Sequence, residues 1–67
     1  MNWDQIAGKW KEMKGSVRSK WADMTDSDFE KIGGIKDELV GWLQKQYGHS
    51  KEDADREADD FSRGVEH

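Results

Sequence analysis

Apolar residues recur at helical spacing through the first third of the chain. Trp3, Ile6, Trp10, Met13, Val17, Trp21 and Met24 follow one another at intervals of three or four. At about 100° per residue all seven fall within an arc of about 80°. That is the narrow seam of a coiled-coil-like helix. Asn2 stands before it as an N-cap, with Gln5 at the reciprocal position of a capping box. Gly8 and Gly15 fall on the opposite face. Each costs a helix about 1 kcal/mol relative to Ala, and Gly15, near the middle, is the predicted point of a kink or break.

Three more segments follow the same logic. Thr25 caps a short helix, with Asp28 at the box position and Asp26 favourable to the helix dipole. Phe29 and Ile32 are its apolar pair and Gly33-Gly34 stops it. The next stretch runs from about Ile35 to Tyr47. Ile35, Leu39 and Leu43 form one line, with Trp42 on one side and Val40 and Tyr47 on the other. The arc is about 160° wide, so this helix is expected to touch more than one neighbour and to be central. Gly48 sits where a C′ glycine belongs. Ser50 then opens a last helix whose stripe is Ala54, Ala58, Phe61 and Val65, with charge on its other faces and Gly64 at its end.

A weak repeat lies at an offset of 33 residues. Asp4-Gln5-Ile6-Ala7-Gly8 aligns with Asp37-Glu38-Leu39-Val40-Gly41, and Gly15 with Gly48. It suggests two related helical hairpins. The expected fold is therefore all-α, a small bundle of four helices, or five if the first one breaks, in a single domain spanning residues 1–67.

Composition tempers this picture without overturning it. Only 33% of the 67 residues are hydrophobic and 39% are charged, which lies toward the disordered end. Four Trp residues and the strict periodicity argue for folding. There is no Cys to form a disulfide or a thiolate zinc site, and no apolar run approaches the roughly 20 residues of a membrane span. The opening Met1-Asn2-Trp3-Asp4 lacks the basic and apolar regions of a signal peptide, and a cytoplasmic location is expected. The net charge of −4 is uneven. Residues 1–24 carry five Lys/Arg and three Asp/Glu, whereas residues 25–67 carry six and twelve. A nucleic-acid-binding domain is usually basic overall.

No catalytic, cofactor-binding or metal-ligating residue stands out. His49 lies between a C′ glycine and an N-cap serine and reads as a loop residue. His67 is terminal. Asp26-Ser27-Asp28-Phe29-Glu30 lacks the glycine and distal Glu of a calcium loop and reads as capping. The row Asp53, Glu57, Asp60 reads as a solvated face. Two surface candidates remain. Lys11, Lys14 and Arg18 line one side of the first helix and are the candidate phosphate contacts of an alternative, nucleic-acid-binding reading. The ordinary explanation is that these long side chains cover the edge of an apolar stripe. Trp42, at the margin of the wide stripe, and Ile35 are the candidate partner contacts. The leading expectation is a non-enzymatic protein with an unknown protein partner or client, monomeric or a weak homodimer, without a cofactor and without a membrane.

The segments Met1-Asn2-Trp3-Asp4-Gln5-Ile6, Gly8-Lys9-Trp10-Lys11 and Lys14-Gly15 closely resemble the opening of the CsbD-like bacterial stress-response proteins. The resemblance continues through Trp21, Thr25-Asp26-Ser27-Asp28, Asp37-Glu38-Leu39-Val40-Gly41, Leu43-Gln44 and Tyr47-Gly48 to the acidic last helix with Phe61. It implies a bundle of two orthogonally packed helical hairpins of the SAM-domain-like kind, and expression under general stress. It implies no catalytic or binding residues. Ile35 and Trp42 depart from the family pattern, where lysine-like residues are expected, and make the third segment more apolar.

Overall fold

Five α-helices and one 3₁₀ turn make up the computed structural model, which describes residues 1–64: α1 (Trp3–Gly8), the 3₁₀ turn Trp10–Met13, α2 (Lys14–Lys20), α3 (Asp26–Ile32), α4 (Lys36–Tyr47) and α5 (Lys51–Gly64). No strand occurs among these residues. The all-α bundle expected from the periodicity is the fold adopted. The expected Val65 end of the last stripe and His67 lie outside the described residues.

The caps fall where the sequence signals them. Asn2 and Gln5 form a reciprocal box at α1, and Thr25 and Asp28 do so at α3. Ser50 Oγ accepts the Asp53 N–H at the start of α5. Gly33 closes α3 and Gly48 closes α4, both in the left-handed conformation. Gly34 is left-handed as well, at φ +80°, and a β-carbon there would lie 2.6 Å from the Ala7 Cα. The α3–α4 corner therefore rests directly on the backbone of α1.

The first predicted helix does not run as one piece. It breaks at Gly8-Lys9 and not at Gly15, which sits inside α2. Tertiary contacts explain the break. The Trp10 ring stacks on Phe29, with centroids 4.7 Å apart and planes 11° from parallel. Its indole N–H donates 2.7 Å to the Phe29 carbonyl. Tightening the backbone to 3₁₀ geometry swings Trp10 toward α3, and two buried contacts outweigh one continuous helix. The seam also leaves the helix early. α2 ends at Lys20, and Trp21 (φ −123°, ψ 84°) turns out of it so that its ring tilts against Phe61, 5.1 Å away on α5.

The core nonetheless contains most of the predicted stripe residues. Ile6, Trp10, Val17, Trp21, Met24, Phe29, Ile32, Leu39, Val40, Leu43, Ala54, Ala58 and Phe61 are buried, and Trp3, Met13 and Trp42 pack against them half-buried. α4 contacts both α3 and α5, which is the central role its wide apolar face implies. The two repeat copies diverge. Gly8 ends α1, whereas its counterpart Gly41 lies inside α4. Gly15 is helical, whereas its counterpart Gly48 is a left-handed cap.

Candidate partner-contact surface

The basic candidates do not form a free cationic stripe. Lys14 Nζ and Arg18 Nη1 both reach the same Asp26 carboxylate oxygen, at 3.0 and 2.8 Å. Lys14 also lies over the Phe29 ring, 5.8 Å from its centroid. Asp26 is held below the usual carboxylate range, first by the Lys14 hydrogen bond and then by the charges of Lys14 and Arg18. Lys11 stands apart from that triad. It lines a shallow groove of about 500 Å³ with Lys9, Glu12, Glu30 and the edges of Trp10 and Phe29. Two cations and two anions line that groove, so no single-sign field develops for a phosphate backbone.

Ile35 and Trp42 differ in their surroundings. Ile35 is the N-cap residue of α4 and 52% exposed, more than any other large apolar side chain among the described residues. Trp42 is half-buried and packs edge-on against Tyr47, with centroids 5.5 Å apart. Its indole N–H faces the Asp28 carboxyl. That carboxyl is held below its usual range by the Thr25 backbone N–H first and by Trp42 second. Trp42 also forms one wall of a second groove, of about 270 Å³, between α3 and α4. Asp28, Lys31 and Ile32 come from α3, and Glu38, Gly41, Lys45 and Gln46 from α4.

Sequence reasoning missed a polar lattice that adjoins Trp42 through Tyr47. Trp21 Nε1 donates 2.7 Å to Glu57 Oε1, and His49 Nε2 lies 2.9 Å from Glu57 Oε2. His49 is the loop residue it was expected to be, yet it ties that loop to α5. Glu57 is not part of a uniformly solvated row, as the sequence suggested. Its neighbours in that row pair locally, Asp53 with Arg56 and Asp60 with Arg63. Tyr47 closes the lattice. Burial first, and the Asp23 charge second, push its phenol above the usual range. No sequence signal distinguished Glu57 from Asp53, because the feature that does is a tryptophan 36 positions away. At the other end of the bundle, Lys36 pairs with Asp59 at 2.9 Å. The Trp3 indole nitrogen is buried there and faces the Asp59 carboxyl, which it helps Lys36 to hold below the usual range.

Among the described residues no three His, Asp or Glu side chains gather as a metal site would need. No helix is long and apolar enough to cross a membrane. The chain matches the CsbD-like family over residues 4–56. It is similar to the UPF0337 protein pc0632 of Protochlamydia amoebophila, 49% identical over 91% of this chain and 92% of that one. It is similar also to the UPF0337 protein PA4738 of Pseudomonas aeruginosa, 48% identical over 92% and 95%. The UPF0337 protein YjbJ of Escherichia coli K12 is 43% identical over 91% and 88%. No solved structure matches the chain.

Proposed function

Because this chain belongs to the CsbD-like family, a stress-response-associated family, we propose that it is a non-enzymatic general stress-response protein acting through its surface, in the cytoplasm, on protein partners or clients. One observation carries the reading. Around the α3–α4 groove an aromatic wall, Trp42, is rimmed by charges of both signs, Asp28, Lys31, Glu38 and Lys45. Apolar surface inside a polar rim is the anatomy of a protein contact. The surface elsewhere suits an abundant protein, since the cations of α5 are matched to its own carboxylates through Lys51–Asp55, Arg56–Asp53 and Arg63–Asp60.

The test is protection of a client enzyme during heating or drying, against an equal mass of albumin. Better recovery of client activity than with albumin is expected, and Trp42→Ala should reduce it. Recovery no better than albumin counts against the reading. Gel-shift at low salt serves as the control. Retarded nucleic acid whose binding weakens steeply with salt and with Lys11→Ala would favour the alternative through Lys11, Lys14 and Arg18.

A further inference from the structure

We propose that the protein pairs with a second copy of itself through an antiparallel, two-fold contact between α4 helices, centred on Gly41 and Trp42. The proposal deepens the reading of the α3–α4 groove as a protein contact and rests on it. Glu38, Gly41, Trp42 and Lys45 stand at positions i, i+3, i+4 and i+7, which places them on one side of α4, and all four line the groove beside α3.

A two-fold contact must match itself, so the residue opposite i on one copy must suit i on the other. This stripe does. With the axis midway between Gly41 and Trp42, Glu38 of each copy meets Lys45 of the other, and the two ion pairs form symmetrically. Trp42 of each copy comes over Gly41 of the other. A parallel arrangement would set Glu38 against Glu38 and Lys45 against Lys45, so charge selects the antiparallel one.

The isolated chain gives Gly41 no purpose. It sits inside a helix, where glycine is unfavourable, and its φ is not left-handed. A β-carbon there would meet nothing within 4 Å. Glu38 and Lys45 are exposed and have no ion pair among the described residues. Trp42, by contrast, packs against Tyr47 and the core, so little side-chain freedom is lost when a partner arrives. The twelve residues of α4 extend about 18 Å. One helix face of that length buries less than the roughly 1,200 Å² of a standard interface. The pairing is therefore weak, with a dissociation constant on the order of 0.1–1 mM.

Sedimentation equilibrium on the full chain tests this. The apparent mass should rise from 7.8 kDa toward twice that value as concentration approaches about 1 mM. Glu38→Lys and Lys45→Glu should each weaken pairing about tenfold, since each replaces two attractions by two repulsions. An equimolar mixture of those two variants should pair at least as well as the parent, because both ion pairs re-form in the heterodimer. Gly41→Ala should melt no lower than the parent yet pair less well. A constant mass of 7.8 kDa, single charge reversals that pair as the parent does, or a mixture that fails to recover would each overturn the proposal. The client assay separates the two claims. Protection by a protein that stays monomeric overturns the pairing and leaves the surface reading. Pairing without protection does the reverse.

Discussion

A β-carbon at residue 34 would have to occupy both a left-handed backbone and the space of the Ala7 backbone. Gly34→Ala is therefore expected to cost about 2 kcal/mol or more. Gly48→Ala carries the left-handed cost alone, because nothing lies within 4 Å of that position, and should cost about 1 kcal/mol. Urea midpoints of the two variants check the order, and equal losses would remove the contact with α1 from the explanation. Gly33-Gly34 was legible in the sequence as a helix stop. Which of the two glycines meets another backbone was not, since that depends on a segment nearly thirty positions earlier. Trp10 and Trp21 illustrate the same limit. Their apolar periodicity marked them as core, whereas their indole hydrogen bonds to the Phe29 carbonyl and to Glu57 are long-range facts that no local pattern encodes.

The caps at Asn2, Thr25 and Ser50 are legible in the sequence because capping is local. The box of Thr25 and Asp28 closes over four residues, and Thr25→Ala should lower stability by about 1 kcal/mol. Gly15 gives the opposite sign. It is the second residue of α2 with open space around it, so Gly15→Ala should stabilise by up to about 1 kcal/mol and raise Tm by up to roughly 4–8 °C. Thermal melts of both variants decide this, and a destabilising Gly15→Ala would point to a contact that α2 makes outside the chain. The break between α1 and α2 falls away from Gly15 for a physical reason. Propensity marks Gly15 as the weak point, but the hydrogen-bonded stack of Trp10 on Phe29 sets the break at Lys9 (Ramachandran angles −114°, 14°). Of the candidate contact surface, Trp42 was legible as the margin of a wide stripe. The groove beside it was not, since three of its eight lining residues come from α3.

Across the whole molecule, charge pairing sets a pH window for stability. The carboxyls of Asp26, Asp28 and Asp59 are lowered, chiefly by Lys14, by the Thr25 backbone and by Lys36 in turn. Their folded pKa values lie below the unfolded ones, so their contribution is present above about pH 4 and is lost as pH falls through the folded values. Lys36 is raised, first by its hydrogen bond to Asp59, and Tyr47 is raised by burial. Their contributions are intact below about pH 10 and disappear as pH rises further. Urea unfolding followed across pH should show a plateau between an acidic and an alkaline decline, and Lys36→Met should flatten part of each. No decline below pH 4 in the parent would contradict the pairing. The contact between Gly34 and Ala7 has a consequence of another kind. A six-residue helix such as α1 is too short to persist alone in water, and here it lies backbone-to-backbone on the α3–α4 corner. The hydrogen-bonded amides of Ile6 and Lys9 are freed for exchange with solvent when that corner lifts away. Those amides and the amides of Gly33 and Ile35 should therefore report one common opening free energy in deuterium exchange.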